Sequence, residues 1–129
     1  MCDVVIALRS RTEVIVGVFV DENLVITNRD ITDSLLETCE DILLGFGFHV
    51  SSIARLGVVN IQSSFTSTRL LMLLANMMAT FSNTKVALLP IDFLERSSIE
   101  QRCTFMESTF SDSLFLGYNG EPNITTPKQ

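Results

Sequence analysis

The sequence predicts one mixed α/β domain, with strands and helices in the order β-β-β-α-β-α-β. Short runs rich in valine, isoleucine and leucine recur at residues 4–8, 14–20, 24–27, 56–61 and 85–89, as buried strands require. The first three are joined by short polar links, which suit antiparallel neighbours. The later ones are separated by segments with helical apolar spacing, which suit parallel pairs. A chain of 129 residues fits one such domain.

Each element has its own signal. Residues 4–8 are continuously apolar, and residues 9–13 are polar and turn-like. Residues 14–20 are again β-branched, around Gly17. Asp21-Glu22-Asn23 forms a turn into a third strand at 24–27, completing an antiparallel meander. Asp30 or Thr32 caps the helix that follows, in which Leu35, Leu36, Cys39, Ile42 and Leu43 recur at helical spacing. Gly45 and Gly47 end it. Ser51-Ser52-Ile53 leads into the fourth strand, 56–61. Thr66 or Ser67 caps a second helix running to about Phe81. Asn83 closes that helix, and 85–89 is the fifth strand.

Beyond Pro90 a short helix is expected at 91–99. A hairpin of 103–107 with 113–118 is expected around 109–112, and a loose tail from Asn119. The organisation is thus a core at 1–90, a helix and hairpin at 91–118, and a tail at 119–129.

Composition narrows the function. The net charge is −6, with 47% apolar and 19% charged residues, ordinary for a folded chain. Its scattered basic residues argue against a sequence-independent grip on nucleic-acid phosphates. The longest apolar run, 70–81, is too short to span a membrane, which takes roughly 20 residues. Met1-Cys2-Asp3-Val4 has no basic leader region, so no signal peptide is expected. Cys2, Cys39 and Cys103 fit neither a disulfide framework nor a zinc site, so reduced thiols and a cytoplasmic location are expected. The sequon Asn123-Ile124-Thr125 is then a chance match.

Little here points to catalysis. His49 is the single histidine, beside a glycine turn, where a structural role is the simpler reading. No phosphate-binding loop and no G-x-G-x-x-G is present. Glu37, Glu40 and Asp41 read as a solvated helix face. The stretch Ser63-Ser64-Phe65-Thr66-Ser67-Thr68-Arg69 lies between a strand and a helix N-terminus. There, backbone N–H groups with Ser64, Thr66 and Arg69 have the chemistry to hold an anion. The same hydroxyls are ordinary N-caps, and capping explains them without a ligand. No catalytic residue, cofactor or metal is expected.

The second helix carries more apolar surface than a core needs. Leu70, Leu71, Met72, Leu73, Leu74, Ala75, Met77, Met78, Ala79 and Phe81 point in every direction round it, whereas a surface helix has one apolar stripe. One side packs on the sheet, and the other is expected to face a protein partner. The first helix extends that surface. The expected interface comprises Leu35, Leu36, Cys39, Leu43, Leu70, Leu71, Leu74, Met77, Met78 and Phe81. The alternative is a central helix covered by the rest of the chain.

Several stretches carry a family resemblance. Arg29-Asp30-Ile31-Thr32, with Leu35-Leu36, Glu40-Asp41-Ile42-Leu43 and Gly47, resembles the first helix of the bacterial TsaB (YeaZ) proteins. Ser64-Phe65-Thr66-x-x-Arg69 resembles the end of that family's G-P-G-S-F-T-G-x-R loop. Residues 86–94 are similar to the strand that follows, 4–8 to the first strand, and 103–120 to the start of the second half.

The resemblance implies an actin-like ATPase/RNase H fold with a partial second subdomain. It implies a non-catalytic scaffold binding a TsaD-like catalytic subunit through both helices, with a TsaE-like ATPase as a third component. Together these make N6-threonylcarbamoyladenosine at position 37 of tRNA. It also implies that the same helices can form a homodimer.

This chain departs from the family pattern in several places. Arg9-Ser10 stands where the family's first strand ends in Asp followed by Thr or Ser. Ile31 replaces a histidine and Glu37 a proline, and Ile61, Ser63 and Ser67 replace loop glycines. Glycine lets a backbone approach phosphate closely, so these changes disfavour a nucleotide-binding enzyme of the actin-like class. A stand-alone homodimeric scaffold without a tRNA role is the other alternative.

Overall fold

The computed structural model describes residues 2–61 and 65–113, and of 65–67 only the backbone. Five strands form one mixed sheet: β1 (Cys2–Leu8), β2 (Glu13–Val20), β3 (Asn23–Asp30), β4 (Ile53–Val59) and β5 (Lys85–Leu89). They lie in the order β3-β2-β1-β4-β5. β1, β2 and β3 are the expected antiparallel meander, with Val4 opposite Val18 and Val18 opposite Val25. β4 runs parallel to β1, and β5 parallel to β4. Helix α1 (Leu35–Leu44) provides the crossover from β3 to β4, and α2 (Phe65–Ser82) that from β4 to β5. This is the α/β sheet of the actin-like/RNase H-like fold.

Strand alternation puts two cores on the two sheet faces. Val4, Ile6, Leu8, Val14, Val16, Val18, Leu56 and Val58 pack under α1 and α2. Val5, Ala7, Ile15, Val59 and Leu89 pack with Phe93 and Phe105 on the opposite face. Burial on both faces explains why residues 4–8 and 14–18 read as continuous apolar runs.

The region after Pro90 differs from expectation. A 3-10 turn (Phe93–Glu95) precedes helix α3 (Ser98–Glu107), so residues 103–107 are helical and not the first arm of a hairpin. The reason is local. Ser97 caps α3 with its hydroxyl on the Glu100 N–H, while the Glu100 carboxylate accepts the Ser97 N–H at 3.2 Å. Phe105 then turns inward beside Phe93, completing the second core of the same sheet. The other hairpin arm, 113–118, and the tail 119–129 lie, apart from Ser113, outside the described residues.

Gly57 makes room for this cover. A Cβ at Gly57 would lie 2.4 Å from Leu89 Cδ1 and 3.1 Å from Phe105 Cε2. On the same face Asp3 of β1 and Arg55 of β4 form a two-pronged pair, Nε–Oδ1 3.0 Å and Nη2–Oδ2 2.7 Å. The Arg55 guanidinium lies over the rings of Phe105 and Phe110, 5.4 and 5.7 Å from their centroids. The hydrogen bond to Asp3 raises the Arg55 pKa above its ordinary value.

Other boundaries move as well: β3 runs on to Asp30, beyond the expected 24–27. The cap of α1 is Ser34 rather than Asp30 or Thr32, because Ser34 Oγ accepts the Glu37 N–H. β4 begins at Ile53 and ends at Val59. Helix α2 begins at Phe65, which places Thr66 and Ser67 inside its first turn and not at its cap. Asn83, at φ 57°, closes α2 as expected, and the Thr84 hydroxyl donates to the Ile53 carbonyl at 2.9 Å. Among the described residues, no helix is long and apolar enough to cross a membrane.

Candidate partner-binding surface on α1 and α2

The two helices lie on one sheet face, and their buried sides follow from helical phase. In α1, Thr38, Cys39, Ile42 and Leu43 are buried. In α2, the buried residues are Thr68, Leu71, Leu74, Ala75, Met78 and Ala79. Five of the residues expected to face a partner therefore belong to the core: Cys39, Leu43, Leu71, Leu74 and Met78. Leu71 has no exposure and Leu74 only 4%. The sheet takes that side of α2, because residues 71, 74/75 and 78 recur at the spacing of one helix face.

The opposite side of α2 presents a second apolar stripe. Leu70 is 37% exposed, Leu73 60% and Phe81 81%, with Met77 half-buried between them. Their spacing of three, four and four residues keeps them on one side of the helix. Leu73 is missing from the sequence-derived set, although the spacing from Leu70 and to Met77 marks it. Leu36 of α1 is 37% exposed, while Leu35 packs half-buried against the core. A groove lined by Leu36, Glu37, Glu40, Val50, Ser51 and Ser82 joins the start of α1 to the end of α2.

The polar residues around this surface hold it in place. Glu40 accepts the Val50 N–H at 2.9 Å and lies 3.6 Å from His49, tying α1 to the 3-10 turn Val50–Ser52. Asp41 pairs with Arg29 of β3 at 2.5 Å. Glu37 completes the Ser34 cap. His49 and the three carboxylates thus have structural partners. Among the described residues, no cluster of His, Cys, Asp or Glu has the makings of a metal site.

The anion-site candidates are only partly in view. Ser64 and the Thr66 side chain lie outside the described residues. Arg69 is exposed in the first turns of α2. The Thr68 hydroxyl donates to the Asn60 side chain at 3.4 Å, joining the helix start to the segment after β4. At the end of β1, Arg9 lies 3.8 Å from Glu13 across a tight turn. A cation therefore stands where the resemblance leads one to look for an acid.

All three cysteines are free; Cys2 and Cys39 are buried and Cys103 exposed. Burial pushes the Cys39 thiol up to about 12 and raises Cys2 as well.

No protein-family model matches the chain, and no curated protein matches it in sequence. Solved structures do match. YeaZ from Pseudomonas aeruginosa superposes with a TM-score of 0.57 at 14% identity, over 69% of this chain and 43% of that one. A structure described as an uncharacterized protein with similarity to peptidase YeaZ, also from Pseudomonas aeruginosa, gives 0.55 at 14% identity with the same coverage. This chain thus spans less than half the length of the structures it matches. What it shares with them is the fold, and that fold is the actin-like/RNase H-like α/β sheet with α1 and α2 on one face.

Proposed function

We propose that this chain is a non-catalytic scaffold subunit of the TsaB kind. It binds a TsaD-like catalytic subunit, with a TsaE-like ATPase as a further component, in the cytoplasmic complex that makes N6-threonylcarbamoyladenosine at position 37 of tRNA. One observation carries the reading: a YeaZ-like fold presents the stripe Leu70, Leu73, Met77 and Phe81 outward beside Leu36. An apolar stripe of this kind, next to charged Glu37 and Glu40, suits a helical partner that lays its own apolar face along α2. Arg9 at the end of β1 supports a scaffold over a nucleotide-binding enzyme, since a cation there supplies no acidic ligand.

The test is light scattering after size exclusion, with this protein alone and mixed with a TsaD-type subunit from the same organism. A one-to-one species that is lost with Leu73→Glu or Phe81→Glu supports the proposal. Absence of any mixed species from wild-type protein refutes it.

A further inference from the structure

Among the described residues, the outer edge of β3 has no neighbour in the sheet. β3 is a terminal strand eight residues long, regular in register along β2. At the other end of the sheet, Val86 of β5 exchanges two 2.9 Å backbone hydrogen bonds with Ser111. Among the described residues nothing covers β3 in this way, and β3 contains no proline or lysine to blunt it.

The hairpin turn fixes which groups face outward. Asp21, at φ 60°, and Glu22 form a two-residue turn between the paired residues Val20 and Asn23. Residues flanking such a turn form a hydrogen-bonded pair, and hydrogen-bonded pairs then alternate along the ladder. Asn23, Val25, Thr27 and Arg29 therefore spend their backbone groups on β2. Leu24, Ile26 and Asn28 direct theirs outward. Val25 and Ile26 are 40% and 42% exposed, on opposite faces of the strand.

We infer that β3 pairs antiparallel with β3 of a second copy of this chain, about a two-fold axis at Val25. The outward groups sit on even-numbered residues, so only registers that set even opposite even can bond. With the axis at Val25, Leu24 meets Ile26, Val25 meets itself, and Arg29 reaches the Asp21-Glu22 turn of the other copy. With the axis at Ile26, Asp30 faces Glu22. With the axis at Thr27, Val25 faces Arg29 and Ile26 faces Asn28. Charge and apolar matching both select the first register. Arg29 is held at this edge by Asp41, while Asp21 and Glu22 make no ion pair among the described residues. Two sheets joined in this way become one, with an isologous contact.

The test reads the oligomeric state of the whole chain by size exclusion with light scattering. Wild type is expected to form a concentration-dependent dimer. Val25→Lys and Val25→Glu are each expected to be monomeric, because the axis sets two like charges face to face. Mixing the two in equal amounts restores a dimer with one of each. Leu73→Glu leaves the dimer intact, which separates this edge from the helical surface. In a Cys103→Ser background, Val25→Cys is expected to give an oxidised dimer, because a non-hydrogen-bonded pair brings its Cα atoms to about 4.5 Å. That measurement decides the matter if a charged variant fails to fold. A wild type that is monomeric at every concentration overturns the inference. So does a dimer that survives both charged variants, or a Val25→Cys chain that forms no cross-link.

Discussion

Leu73 and Leu74 are consecutive leucines on α2 with opposite surroundings, and this gives the sharpest test of the surface assignment. Leu73 is 60% exposed and Leu74 is 4% exposed. Truncating Leu74 to alanine removes buried methyl groups and leaves a void between α2 and the sheet, at a cost of about 2–5 kcal/mol. With a urea slope of about 1–3 kcal/mol per molar, a loss near 3 kcal/mol lowers the unfolding midpoint by roughly 1–3 M. Such a loss is a large share of the roughly 5–15 kcal/mol that holds a domain together. Leu74→Glu is worse, since it sets a carboxylate without a partner against Leu71 and Met78. Leu73→Glu, by contrast, exchanges one good helix former for another at a wet position and is expected within about 0.5 kcal/mol of wild type. Urea unfolding followed by circular dichroism measures all three. Equal losses at positions 73 and 74 would refute the assignment, as would a Leu74→Ala midpoint unchanged from wild type.

Three further outcomes are expected. Gly57→Ala forces Leu89 and Phe105 apart and is expected to destabilise the fold by about 1–3 kcal/mol, read from the same urea midpoints. The Cys39 thiol, pushed up to about 12, keeps its proton in the folded state while the unfolded chain ionises near 9. The native state then binds more protons, so stability falls as pH rises between those values. The slope is about 1.4 kcal/mol per pH unit, and Cys39→Ala removes it in pH-dependent unfolding curves. ATP is expected to leave the melting temperature unchanged, because the phosphate-loop glycines are replaced; a saturable upward shift would contradict this.

Much of the fold is legible in the sequence because its signals are local and redundant. The strands stand out as β-branched runs, and the polar links between the first three force antiparallel neighbours. The capping pairs Ser34-x-x-Glu37 and Ser97-x-x-Glu100 are equally local, yet Asp30 and Thr32 compete with the first pair as caps, and the strand-like run after the second hides the helix that it starts. Without the second pair, the alternation of Cys103, Phe105 and Glu107 mimics a strand. The surface was harder. Between Leu70 and Phe81, helix α2 has two apolar sides and only Asn76 and Thr80 as polar residues to tell them apart, so its phase is set by where the sheet lies, which is tertiary information. Leu71, Leu74 and Met78 go inward for that reason, and Leu73 goes outward. The free edge of β3 is likewise a property of strand order, which no run of residues declares.

That strand order also sets a timetable for the nascent chain. β1 occupies the centre of the sheet, yet its second neighbour is β4, with Val5 paired to Gly57 across nearly half the sequence. During synthesis the hairpins of β1, β2 and β3 have all their partners early, whereas the far edge of β1 stays bare until β4 has left the ribosome. Non-local parallel pairing is slow, and an open apolar edge is where growing chains stick to one another. A ribosome that pauses before β4 has emerged would therefore hold the chain with that edge open. Any chaperone that serves this fold has most to do in that interval, with Val4, Val5 and Ile6 as the residues to shield.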